Sequence, residues 1–158
     1  MIKSINIKNL LISLGISLGT GILATILTIG NMSMYMQFEK PPLSPPAWLF
    51  PVVWTILYIL MGISAYMISE SNATQEQKDK ALSIYGFQLF FNFLWTIIFF
   101  AFYQYLAAFI VLVMLWILIL LTIISFNKIN PLAAKLQIPY LAWVTFAGYL
   151  NLAIYLIN

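Results

Sequence analysis

Apolar residues are concentrated in five long runs, separated by short polar segments. The runs cover residues of about 9–30, 47–69, 81–103, 105–126 and 133–157. Each is long enough for a transmembrane helix, which needs about 20 residues to cross a hydrocarbon core of roughly 30 Å. A membrane β-barrel would need alternating polar positions, and an open sheet cannot satisfy its backbone groups in lipid. The pattern therefore predicts an all-α membrane protein: a five-transmembrane-helix bundle forming a single integral membrane domain over residues 1–158.

The composition supports a membrane protein and excludes several kinds of chemistry. The chain is 63% hydrophobic and 7% charged, whereas soluble domains carry about 25% charged residues. It contains no Cys, His or Arg, so disulfides, Ser–His or Cys–His catalytic pairs and imidazole metal sites are excluded. No ionisable residue lies deep within a run, which disfavours ion-coupled transporters and proton pumps. We expect no metal site and no required cofactor.

The lysines predict how the chain is oriented in the membrane. With five spans, one side carries six lysines and the other side carries Lys40 alone. The six are Lys3, Lys8, Lys78, Lys80, Lys128 and Lys135. By the positive-inside rule, the N-terminus is cytoplasmic and the C-terminus lies outside, in a bacterial plasma membrane. The net charge of +3 is therefore a topology signal, and no clustered basic patch indicates a nucleic-acid partner.

Small residues in the first run predict a closely packed helix face. Gly15 and Gly19 have GxxxG spacing, and Ser13, Ser17 and Gly21 recur every four residues. Small residues let a neighbouring backbone approach closely, which supplies packing energy in lipid. Packing within the chain is the favoured interpretation, and a homodimer through Gly15 and Gly19 is the alternative.

The connections between the runs also carry predictions. The segment 70–80 is polar and mixed in charge, typical of a solvated turn, and the connection near Tyr103 is short enough to make its flanking helices antiparallel neighbours. Pro51 and Pro139 fall inside their runs and are expected to kink them near the entry end. Pro46 can occupy a first helical turn.

A proline-rich loop leads into the second run. Proline fixes its own backbone and restricts the residue before it, so this loop is stiff. A stiff loop at the membrane surface that feeds an aromatic helix is suited to cover a ligand pocket. The predicted lid residues are Glu39, Lys40, Pro41, Pro45 and Pro46.

Aromatic and amide side chains form one stripe on each of three runs. The stripes are Trp54, Tyr58 and Gly62; Gln88, Asn92, Trp95 and Phe99; and Tyr140, Trp143, Ala147 and Asn151. Stripes at helical spacing are also what interhelical packing or interfacial aromatic belts produce. The helical rise of 1.5 Å per residue places most of these residues away from the rims, in the outer half of the bundle under the proline loop. They therefore indicate a pocket for a flat aromatic ligand.

Several of these motifs occur in a fixed order that is highly specific as a set. They are Glu39-Lys40-Pro41 with Pro45-Pro46; Phe50-Pro51, Trp54, Leu57-Tyr58 and Met61-Gly62; Gln88-Leu89, Asn92 and Trp95; and Pro139-Tyr140-Leu141-Ala142-Trp143, Phe146-Ala147 and Leu150-Asn151. From about Phe38 to the C-terminus, the chain resembles the translocator protein/tryptophan-rich sensory protein family, also called the peripheral benzodiazepine receptor family.

The resemblance implies a bundle, commonly a homodimer, that binds tetrapyrroles (protoporphyrin IX and haem) and drug-like aromatic ligands under the first loop. It implies pocket roles for Trp54, Asn92, Trp143 and Ala147, to which the stripes add Tyr58, Trp95 and Phe99. Haem would be held without His. A receptor or carrier is the leading function. The alternatives are a light- or oxygen-dependent porphyrin-degrading enzyme that relays an electron through Trp54 or Trp143, and a regulatory subunit of another membrane complex.

The chain departs from the family pattern at two places. Leu43 stands where the loop pattern has Trp, which removes one expected lid contact. No basic residue follows Tyr149 or Tyr155, so the C-terminal sterol-type pattern is incomplete. We therefore do not expect sterol binding by that route.

Overall fold

The protein folds as a bundle of helices. Its structure is a computed structural model that describes residues 4–31 and 36–158. The helices are α1 (Ile7–Thr28, followed by a 3-10 turn at Ile29–Asn31), α2 (Leu49–Ser69), α3 (Gln75–Phe100), α4 (Tyr105–Asn127), α5 (Pro131–Leu136) and α6 (Ile138–Ile157). Helices α1 to α4 and the α5–α6 pair are each long and apolar enough to cross a membrane. The prediction of an all-α protein with five transmembrane helices is confirmed.

The prediction of a polar loop over residues 70–80 is wrong for its second half, because α3 begins at Gln75. Thr74 and Gln77 form a capping box, in which each side chain bonds the other residue's backbone N–H. The capping box satisfies backbone donors at the helix start, so α3 extends beyond its apolar part into the polar region. At its other end α3 stops at Phe100, three residues before the predicted boundary.

The fifth apolar run forms two helices, which together make one span, rather than one continuous helix. Asn130 caps α5 through bonds from the backbone of Leu132 and Ala133, and Gln137 separates α5 from α6. The break arises because Pro139 has no backbone N–H to donate to the preceding turn. Pro51, by contrast, is the third residue of α2. Backbone N–H groups in the first turn have no carbonyl acceptor within the helix, so proline costs no hydrogen bond at this position. Pro46 precedes α2 and is not in its first turn, contrary to the prediction.

The order in which the helices pack determines where the interior is open. Helix α1 contacts α2 and α3, and α3 contacts the antiparallel α4. Helix α4 contacts α5 and α6, while α2 contacts α5 and α3. Met61, Leu115, Ile119, Phe126 and Val144 are fully buried in the resulting core. At the end of the bundle away from the N-terminus, α1, α2, α3 and α6 surround a cavity.

The small residues of α1 occupy two faces with different surroundings. Ser13 donates to the Gly62 carbonyl at 2.6 Å and Ser17 donates to the Tyr58 carbonyl at 2.8 Å, so this face packs against α2. A Cβ on Gly15 or Gly19 would have no described neighbour within 4 Å. The predicted internal packing therefore applies to the serine face. A homodimer through Gly15 and Gly19 stays a prediction.

Replacing Gly62 by alanine is expected to destabilise the bundle by about 1–3 kcal/mol, as overpacking does. A Cβ at Gly62 would lie 2.7 Å from Ser17 Oγ and 3.0 Å from the Leu14 Cα, so the two helices would have to separate. Thermal unfolding in detergent measures the loss. Gly86→Ala, in α3, is the matched control, because a Cβ there would have no described neighbour within 4 Å. It should leave the unfolding temperature equal or higher, since alanine favours helix. Equal losses in both variants would contradict this description of the interface.

Candidate ligand-binding cavity

The cavity encloses about 340 Å³, within the range of small-molecule sites. Four helices and the end of the first loop form its wall. The lining residues are Gly21, Ala24, Thr25, Thr28 and Ile29; Ala47, Phe50, Pro51, Trp54 and Tyr58; Trp95, Thr96, Phe99 and Phe100; and Trp143, Ala147, Leu150, Asn151 and Ile154. None of these side chains is charged, so the cavity favours an apolar, aromatic occupant.

The structure brings six of the seven predicted pocket residues together in this wall. They are Trp54, Tyr58, Trp95, Phe99, Trp143 and Ala147. Asn92 does not line the cavity, because it lies behind Tyr58 and is fully buried. Tyr58 donates to Asn92 Oδ1 at 2.7 Å, and Asn92 Nδ2 donates to the Tyr140 hydroxyl at 2.7 Å. Asn92 therefore joins three helices and holds the Tyr58 ring in place.

Trp54 is the centre of an aromatic cluster on one side of the cavity. Its ring centroid lies 5.8 Å from Tyr58, 6.1 Å from Trp95 and 6.2 Å from Tyr140. Trp95 in turn contacts Phe99 at 5.8 Å. Centroid separations of 4.5–7 Å are those of favourable aromatic pairs. The rings therefore support one another and present a preformed surface.

Two tryptophan indoles in the wall differ in their hydrogen bonding. Trp95 Nε1 donates to Asn151 Oδ1 at 3.0 Å, and Asn151 Nδ2 donates to the Tyr105 carbonyl at 2.9 Å. Trp143 packs against Phe50 at 5.9 Å, but its buried indole N–H has no hydrogen-bond partner among the described residues. The N–H is closed to a water-sized molecule, so Trp143 contributes its apolar ring, and not its donor, to the cavity wall.

The cavity wall also includes residues that were not predicted from the sequence as pocket residues. On α1 these are Gly21, Ala24, Thr25 and Thr28, and on α6 they include Asn151. The four residues from α1 continue the small-residue face along the helix, and a Cβ on Gly21 would overlap the Tyr58 ring. The spacing of Ser13, Ser17 and Gly21 was a signal for this face, but it indicated packing rather than a cavity wall.

The predicted lid residues do not line the cavity in this structure. Glu39 and Lys40 are exposed, Pro41 is buried, Pro45 is half-buried and Pro46 is exposed. Among the described residues between α1 and α2, Ala47 lines the cavity, together with Ile29 at the start of the 3-10 turn. Residues 32–35 of this loop lie outside the described residues. The lid role of the five predicted residues stays a prediction.

Contacts with α6 and with the start of α4 hold the described part of the loop in place. Glu39 N donates to Asn158 Oδ1 at 3.2 Å, and the Tyr149 hydroxyl donates to the Pro42 carbonyl at 2.7 Å. Phe38 packs edge-on against Tyr105 at 5.2 Å. Leu43, which replaces the expected loop Trp, is 83% exposed and has a left-handed backbone conformation. Its side chain contributes nothing to the cavity wall.

Comparison with known proteins relates the whole chain to one family of membrane proteins. Residues 12–156 match the model of the TspO/MBR family. The chain is 35% identical to a tryptophan-rich protein TspO of Chlorobaculum tepidum over 96% of this chain and 97% of that protein. It is 39% identical to the protein CrtK of Rhodobacter capsulatus over 78% of both chains. It is also 36% identical to the translocator protein of Bos taurus, over 74% of this chain and 70% of that protein.

Proposed function

Because this chain belongs to the TspO/MBR family of integral membrane proteins, we propose that its aromatic cavity binds tetrapyrroles such as protoporphyrin IX and haem. The same cavity would take drug-like aromatic ligands. The protein would act as a receptor or carrier rather than require the tetrapyrrole as a cofactor. The observation that carries the proposal is the uncharged cavity walled by Trp54, Trp95 and Trp143.

The wall suits a flat aromatic ring system. A whole porphyrin is larger than the cavity of about 340 Å³, so part of the ring would project through its open side. Indole and phenol faces stack on planar aromatic ligands and contribute about 1–3 kcal/mol per stacked ring in comparable sites. Ala147 and Gly21, where larger side chains would reduce the volume, leave space beside the tryptophans.

The distribution of charge supports a particular orientation of the ligand. No charged side chain of residues 4–31 and 36–158 lines the cavity, and burying an unpaired carboxylate in an apolar site is very costly. The two propionates of protoporphyrin IX would therefore remain at the aqueous surface while the ring enters the bundle. We propose the same orientation for haem, which the chain would hold without a histidine ligand.

We also propose the membrane orientation and the oligomeric state. The end of the bundle with the α1 N-terminus carries Lys8, Lys78, Lys80, Lys128 and Lys135, and the loop at the other end carries Lys40. By the positive-inside rule, the N-terminus faces the cytoplasm of a bacterial cell and the cavity lies in the outer half of its plasma membrane. The open face at Gly15 and Gly19 is the proposed contact of a homodimer.

A second function, light- and oxygen-dependent degradation of porphyrin, is favoured by one observation. Trp54 contacts Trp95, Tyr58 and Tyr140, so an oxidised indole in the wall has neighbouring rings that can supply an electron. Trp54 and Trp143 would be the residues that face the porphyrin. Molecular oxygen would be the oxidant in this reaction.

A titration of the purified protein with protoporphyrin IX tests both functions. In the dark, we expect saturable quenching of tryptophan fluorescence at micromolar concentrations. Constant porphyrin absorbance under subsequent illumination supports a receptor or carrier. Light-driven loss of bound porphyrin, absent in a Trp143→Phe variant, supports the enzyme. Absence of saturable quenching would contradict both.

A further inference from the structure

Three threonines line the aromatic cavity, and each uses its hydroxyl proton within its own helix. Each donates to the carbonyl four residues before it: Thr25 at 2.9 Å, Thr28 at 2.8 Å and Thr96 at 3.1 Å. A hydroxyl has one donor and two acceptor lone pairs, so a threonine bonded in this way presents acceptor positions to a ligand. Thr28 is buried, whereas Thr25 is exposed and Thr96 is half-buried. Thr25 and Thr96 are therefore the two that a ligand can reach.

The side-chain donors of the wall are already bonded or enclosed. Trp95 Nε1 donates to Asn151 Oδ1 at 3.0 Å, and the Tyr58 hydroxyl donates to Asn92 Oδ1 at 2.7 Å. Asn151 is 1% exposed, so its amide is enclosed, as is the indole N–H of Trp143. Within residues 4–31 and 36–158, the side chains of the wall thus offer hydrogen-bond acceptors but no accessible donor.

The acceptors and the stacking surfaces lie on different helices around the cavity. Thr25 and Thr96 lie in the final turns of α1 and α3, which contact each other and run in the same direction. Trp54 and Trp143 belong to α2 and α6. A ring that stacks on the two tryptophans would therefore direct one edge toward the two threonine oxygens.

We propose that the cavity selects flat heteroaromatic ligands that carry an N–H group on one edge, as indole- and carbazole-type rings do. The N–H donates to the hydroxyl oxygen of Thr25 or Thr96 while the ring faces stack on the tryptophans. A ligand with only acceptors on that edge would face the threonine lone pairs or break the hydrogen bond within the helix, and both are unfavourable. This inference rests on the proposed function, in which the cavity takes drug-like aromatic ligands.

Isothermal titration calorimetry of the protein in detergent with carbazole and dibenzofuran tests this selectivity. The two tricyclic probes share one frame, in which dibenzofuran has an oxygen where carbazole has its N–H. We expect carbazole to bind about two- to tenfold more tightly, the range that one neutral hydrogen bond contributes. Equal affinities, or preference for dibenzofuran, would overturn this inference alone if protoporphyrin IX still bound saturably. Failure of all three ligands to bind would overturn the proposed function as well.

Threonine-to-valine variants locate the contact. Valine keeps the shape of threonine without the oxygen, so Thr25→Val combined with Thr96→Val should lose the preference through weaker binding of carbazole. Thr20→Val is the matched control, because Thr20 also donates to the carbonyl four residues before it, at 2.8 Å, but does not line the cavity. It should keep the parent preference. A preference retained in the double variant, or a loss shared equally by both probes, would overturn the assignment. The ratio of the two affinities in the parent protein tests the inference even if the double variant fails to fold.

Discussion

Replacing Trp54 or Trp143 with alanine should weaken protoporphyrin IX binding by about 1–3 kcal/mol, the range for losing one aromatic stack. This corresponds to about 5- to 150-fold in dissociation constant. Both indoles line the cavity, and they lie on different helices, α2 and α6. A planar ligand between them would therefore lose one stacking surface in each variant. Absorbance titration of the porphyrin measures the affinities without relying on the removed fluorophore.

Trp116→Ala is the matched control for this prediction. Trp116 belongs to α4, donates to Thr145 Oγ1 at 2.8 Å and does not line the cavity. Its removal deletes an indole of the same size and one interhelical hydrogen bond, but no cavity surface. We expect the affinity of the Trp116→Ala variant for protoporphyrin IX to stay within about twofold of the parent value. This is much less than the tenfold change that about 1.4 kcal/mol produces. Equal losses in all three variants would show that the effect is general destabilisation.

Replacing Asn92 with leucine should lower the free energy of unfolding by about 1–3 kcal/mol. Asn92 accepts from Tyr58 and donates to Tyr140, and all three side chains are buried. The leucine variant leaves two hydroxyls without partners in an apolar interior, where neither lipid nor water replaces the lost bonds. For a chain of this length, that loss lowers the unfolding temperature by roughly 2–12 °C. Thermal unfolding followed by circular dichroism measures it.

A combined variant separates the cost of unpaired groups from a change in packing. Tyr58→Phe and Tyr140→Phe added to Asn92→Leu remove both hydroxyls together with the amide. Because replacing all partners by apolar groups of similar shape is close to neutral, the triple variant should recover most of the lost stability. A triple variant less stable than Asn92→Leu alone would show that these side chains stabilise the bundle through packing and not through the hydrogen bonds.

The sequence contained enough information to predict the bundle and much of the cavity wall. Transmembrane helices follow from length and hydropathy alone, and the stripes of Trp54, Trp95 and Trp143 were predicted to converge because helical spacing and depth are regular. The start of α3 was missed, since a capping box at Thr74 depends on local hydrogen bonds rather than hydropathy. The break at Gln137 was predicted as a kink, from Pro139 near the entry end of the run, but not as a division into two helices, because the apolar run continues through it.

The position of Asn92 could not be predicted from its stripe. It shares a face of α3 with Trp95, yet it is enclosed by Tyr58 and Tyr140 and does not line the cavity. Which of two residues on one helical face meets a cavity depends on how neighbouring side chains fill the space between helices. That packing is three-dimensional and has no periodic signal. The α1 contribution through Thr25 and Thr28 was missed for the same reason.

The most direct test of the proposed ligand site is to locate the tetrapyrrole within the protein. Crystals of the complex with zinc protoporphyrin IX allow the metal position to be found from its anomalous scattering, independently of the model of the chain. We predict a single zinc peak inside the bundle, with the porphyrin ring between Trp54 and Trp143 and its propionates at the surface. A zinc peak on the lipid-facing surface, with the aromatic cavity empty of porphyrin, would contradict the account.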